Sequence, residues 1–78
     1  MPTVKRFPRC RIEMYFGDHN PPHFHVITVD EERIAVVIQT LDIMAGTARQ
    51  RDVVAAMAWA RAHQSELMAR WKLYSEVE

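Results

Sequence analysis

The chain has 78 residues, with ten Lys plus Arg against ten Asp plus Glu and a single cysteine, Cys10. That length allows one domain, residues 1–78, which buries only about 60% of the surface its unfolded chain exposes. The lone cysteine excludes an internal disulfide framework and fits a reducing, cytoplasmic setting. The charges balance within each half as well, which argues against a protein that holds nucleic acid through bulk electrostatics alone. No apolar run approaches the roughly 18 residues of a membrane span, and the N-terminus lacks the apolar core of a signal peptide. Domains this small commonly gain stability from a metal or a partner subunit, so both a divalent ion and a homo-oligomer stay open.

Met1 to Pro8 reads as a lead-in, because Pro2 and Pro8 disfavour regular structure. Lys5, Arg6, Arg9 and Arg11 make this end basic; solvated side chains are the plain reading, an anion or RNA contact the sharper one. Cys10 to Phe16 alternates as a half-buried strand. Cys10, Ile12, Met14 and Phe16 share one face; Arg11, Glu13 and Tyr15 share the other. Gly17 to Pro22 interrupts it as a stiff, shaped loop: Gly17 permits positive φ, Asp18 and Asn20 favour turns, and trans is the commoner state at each proline.

His23 to Val29 forms the next strand, with Phe24, Val26 and Thr28 opposed to His23, His25, Ile27 and Val29. Asp30-Glu31-Glu32 is a polar turn. Arg33 to Thr40 is a third strand, and Leu41 to Ala45 a shorter fourth, ended by Gly46. From Thr47, a plausible helix N-cap with Gln50 completing a capping box, the period changes. Val53, Met57, Ala60, Gln64, Leu67, Trp71 and Tyr74 form one apolar stripe. About 28 unbroken helical residues would overhang so small a sheet, which favours two segments broken near His63 to Ser65. The expected fold is α+β: an antiparallel three- to four-stranded meander with one or two C-terminal helices packed on one face. Ile27, Val29, Ala35 and Val37 then form an apolar end on the other face. Either a partner covers it or the C-terminal helix wraps round to it.

Met1-Pro2-Thr3, the block Met14-Tyr15-Phe16-Gly17-Asp18-His19-Asn20-Pro21-Pro22-His23-Phe24-His25-Val26, Trp59 and the later Leu67 and Trp71 together resemble the bacterial domain-of-unknown-function family 4160. The resemblance implies a small cytoplasmic prokaryotic protein. It also implies a neighbour from a second small family, domain of unknown function 2442, in an arrangement that looks like a toxin–antitoxin pair. A cognate antitoxin-like protein is thus the expected partner and RNA a possible target. At Ile27-Thr28-Val29 the chain departs from relatives, which tend to carry an acidic or aromatic pair there.

Three readings of the histidine block stay open. His23 and His25 are two apart on a strand, so their rings share a side. With His19 or Asp18 swinging in, three ligands suit zinc or another divalent metal. Alternatively, two imidazoles near neutrality, oriented by Glu13 or Tyr15 with Arg11 on a phosphate, give the acid–base skeleton for RNA cleavage. Or Asp18, Asn20 and the histidines simply satisfy the loop's backbone. A noncatalytic interaction module would instead use Ile27, Val29 and Val37 on the open face, with Trp59 as an anchor. Cys10 reads as an inert buried thiol, and His63 as a cap or a solvated side chain.

Overall fold

The computed structural model describes residues 3–76; Met1 and Pro2, the start of the expected lead-in, lie outside them. Five strands follow in order: β1 (Thr3–Arg6), β2 (Cys10–Glu13), β3 (His23–Thr28), β4 (Arg33–Val37) and β5 (Ile43–Thr47). Two helices, α1 (Gln50–Ala62) and α2 (Gln64–Ser75), complete the chain. All neighbours are antiparallel and the sheet order is the chain order, β1-β2-β3-β4-β5. The fold is therefore α+β with five strands rather than three or four. The extra strand is β1, inside the stretch read as a lead-in: with Pro2 and Pro8 on either side of Thr3–Arg6, it forms an edge against β2.

The pleat sorts the side chains as the alternation requires. Cys10, Ile12 and Met14 of β2 and its extension, Phe24 and Val26 of β3, and Ile34, Val36 and Ile38 around β4 share one core with Val53, Ala56, Ala60, Leu67 and Trp71 of the helices. Phe24, Ile12, Val26 and Leu67 are fully buried in it. The helices pack on this face, and at the rim of the sheet Trp71 of α2 also reaches the ring of His23. Phe16, expected on the core side, lies beyond the end of β2. It is 56% exposed and leans on Tyr74, with ring centroids 4.3 Å apart.

Several boundaries shift for local reasons. Leu41 adopts φ 65° in the β4–β5 turn, where its N–H bonds to the Val37 carbonyl at 2.7 Å, so β5 starts at Ile43. Gly46 does not end that strand but sits inside it at φ 82°. A side-chain carbon there would stand 2.1 Å from the Arg33 carbonyl oxygen. Thr47 pairs with Arg33 in the sheet and caps nothing; the N-cap of α1 is Arg49, without a side-chain cap bond. The helical stripe does break at His63, whose φ −129° and ψ 29° leave the α region. Its ring Nδ1–H bonds the Trp59 carbonyl at 2.7 Å, and the Gln64 amide donates to the Ile38 and Gln39 carbonyls at 2.8 and 3.0 Å. Those last two bonds tie the start of α2 to the turn after β4.

Candidate metal centre

The loop between β2 and β3 carries the chemistry. It runs from Gly17, at φ 66°, through a cis Asn20–Pro21 bond into His23; the cis state departs from the trans expectation. Asp18 sits at its middle. One carboxylate oxygen, Oδ1, accepts the His19 backbone N–H at 2.9 Å and lies 3.1 Å from the exposed His19 ring. The other, Oδ2, lies 3.0 Å from Nε2 of His23 and 3.4 Å from Nε2 of His25.

His23 is 2% exposed. As the first residue of β3 it stands at the rim of the sheet, so its ring meets Trp71 of α2 at 5.2 Å as well as His25 at 5.1 Å. Its Nδ1 lies 2.7 Å from the Pro21 carbonyl, which can only accept, so Nδ1 carries the proton. In the neutral ring Nε2 is then a bare lone pair, and it faces a carboxylate oxygen that is also a lone-pair donor. Such a pairing is repulsive unless a proton or a cation lies between them. His25 lies farther along the strand, its ring 4.7 Å from that of Tyr15 and its Nδ1 buried without a partner.

Asp18, His23 and His25 bring one donor atom each to within 4.8 Å of one another. Donors about 2.1 Å from a shared ion stand about 3.0 Å apart across an octahedral edge and about 3.4 Å across a tetrahedral one. The Asp18–His23 separation of 3.0 Å equals the first and the Asp18–His25 separation of 3.4 Å the second, so both fall in the range that donors to one ion span. His19, the third histidine of the expected set, is not in this group; Asp18 takes that place. The His23 ring, fixed through its other N–H by a backbone carbonyl, has the outer-shell support that metal-bound histidines usually show.

Electrostatics around the centre follow from burial and these bonds. Burial pushes the Asp18 carboxyl up, but the His19 N–H and the His25 ring outweigh it and hold it below its usual range. Burial pushes the His25 imidazole down, beyond what Asp18 restores. Glu13, 3% exposed, is raised by burial yet ends low, because Arg11 donates to it at 2.6 Å and Tyr15 at 2.7 Å. Burial and Glu13 together raise Tyr15. Arg33 donates to the Tyr15 hydroxyl at 3.1 Å, which closes a chain Arg11–Glu13–Tyr15–Arg33 across the helix-free face.

The interaction candidates fare differently. Ile27 is 1% exposed, flanked in register by Arg11 and Arg33, so it offers no surface to a partner. Ala35 is buried too, Val37 is half-buried, and only Val29, at 55%, stands open. Trp59 is stacked on His63 at 4.1 Å and meets Phe7 edge-on, so its ring is engaged within the chain. Cys10 is buried, and burial pushes its thiol up, as an inert role requires.

A scan against protein-family models matches residues 10–72 to Domain of unknown function (DUF4160). The chain belongs to this family. The matched span takes in the loop, both strand histidines and Trp71, so the DUF4160 unit contains the whole centre. Comparisons with curated proteins and with solved structures found no match. No helix among the described residues is long and apolar enough to cross a membrane.

Proposed function

We propose that this DUF4160 chain is a cytoplasmic protein that binds one divalent metal ion, zinc being the best fit, through Asp18 Oδ2 and the Nε2 atoms of His23 and His25. The observation that carries the reading is the placement of Asp18 Oδ2 within 3.0 Å of His23 Nε2 and 3.4 Å of His25 Nε2, while the Pro21 carbonyl holds the other nitrogen of His23, an arrangement that calls for a shared cation or a proton between the donors. Three protein donors leave coordination positions for water or substrate, and a bound ion there would supply Lewis acidity and an activated water. Trp71 excludes water from one side of His23, Pro21 holds its ring, and His25 connects the centre to the open sheet face through Tyr15.

Calorimetric titration of chelator-treated protein with Zn²⁺ tests this. One ion per chain is expected, with Asp18→Asn or His25→Ala weakening it at least tenfold. A folded wild type that takes up no stoichiometric metal overturns the reading. A second reading, metal-free acid–base chemistry, is favoured by the 3.4 Å His25–Asp18 contact and the lowered His25 pKa. Activity that survives EDTA would select it. In the toxin–antitoxin-like setting that the resemblance implies, this centre acts on RNA and the partner protein restrains it. Growth inhibition by the chain expressed alone, lost in His25→Ala, is the expected result.

A further inference from the structure

We infer that Arg33 and the groove beside it form an oxyanion subsite for the same centre, and that its ligand is a phosphate ester. The assignment of this ligand to the metal centre rests on the metal reading; the anion subsite itself does not. An open groove of about 130 Å³ on the helix-free face is lined by His25, Arg33, Ala35, Ala45 and Gly46. Ala35 and Ala45 are directly paired across β4 and β5, so the two smallest chiral side chains make a depression in the sheet. His25, which is in register with Ala35 on β3, stands at one wall. That same imidazole is one of the three donors, so a ligand in the groove lies against the metal centre.

Arg33 supplies the charge. Arg9, Arg11, Arg49 and Arg51 each have a carboxylate within 4 Å; Arg6, Arg33, Arg61 and Arg70 have none among the described residues, and of these four Arg33 is the one that lines the groove. Arg33 donates to the phenol of Tyr15, and that bond fixes its position: Tyr15 is itself held by Glu13, and Glu13 by Arg11. Glu13 attracts Arg33 through space, but that one carboxylate is shared with Arg11, so the cluster keeps a net positive charge and Arg33 has N–H groups left for a bidentate oxyanion. A phosphate has oxygens on several sides, so one can take Arg33 while another faces the ion. A carboxylate has its two oxygens in one plane. The apolar floor of the groove suits the organic part of an ester.

Titration of chelator-treated protein with phenyl phosphate, followed by the amide NMR signals of residues 33, 35 and 45, tests the subsite. Saturable binding is expected, weakened at least tenfold in Arg33→Gln, with Zn²⁺ affinity unchanged in that variant. Ala45→Leu should weaken phenyl phosphate more than inorganic phosphate. Zn²⁺ should tighten phenyl phosphate binding to the wild type. Equal affinity in wild type and a folded Arg33→Gln, or benzoate binding as tightly as phenyl phosphate, overturns the inference. Arg33-dependent binding in a protein that takes up no Zn²⁺ supports the subsite and overturns only the metal reading.

Discussion

Asp18, His23 and His25 stand within eight residues of one another, and strand alternation alone puts His25 beside Tyr15 and Glu13 on the side away from the helices. Alternation could not choose between His19 and Asp18, because a loop has no fixed side-chain period. Arg33 escaped notice for a related reason. Its place next to the centre depends on strand register, and register is set by turns whose geometry the residues only suggest. Asp52 was also missed: a carboxylate in the first turn of a helix usually faces water, yet this one is 1% exposed and bonded by Arg9. The Arg9 hydrogen bond, opposed by burial, holds Asp52 below its usual range. A carboxyl lowered by folding stabilises the protein above its unfolded pKa, and that contribution is lost as pH falls through the folded value. Arg9→Gln should therefore lower the urea midpoint at pH 6, and the gap to wild type should shrink below about pH 3.8, where the unfolded carboxyl binds its proton.

The sheet was legible where strands alternate and blurred where they end. β2 to β4 place Ile12, Phe24, Val26, Ile34 and Val36 on the face that packs on the helices, although Ile27 and Ala35 on the other face are buried as well. β5 is exposed along its whole length, so burial imposes no pattern on Ile43 to Thr47. What fixes β5 is backbone proximity at Gly46. Gly46→Ala places a methyl against the Arg33 carbonyl at a φ that L-residues avoid. It should cost about 1–3 kcal/mol in urea unfolding and reshape the groove beside His25. The break between the helices was legible from length alone. Its position at His63 is set by the bonds of Gln64 to the β4–β5 turn, which no helical periodicity encodes.

At the scale of the molecule, one helix layer on one sheet face gives a thin core for 78 residues, so a bound ion matters to stability as well as to chemistry. An ion at about 100 times its Kd stabilises the folded state by about 2.7 kcal/mol. Each kcal/mol moves the Tm of a domain this size by about 4–8 °C. Saturating Zn²⁺ should then raise the melting temperature by more than about 10 °C in calorimetry, and His23→Ala should abolish the rise.

The three donors all fall between residues 18 and 25, on a single hairpin. Cation capture therefore closes only a short loop, at little entropic cost, and needs no docking of α1 or α2. Ion uptake can precede assembly of the hydrophobic layer and act as a nucleus for it. Stopped-flow refolding should run faster with Zn²⁺ present from the start than with Zn²⁺ added after folding is complete, and Asp18→Asn should erase that acceleration.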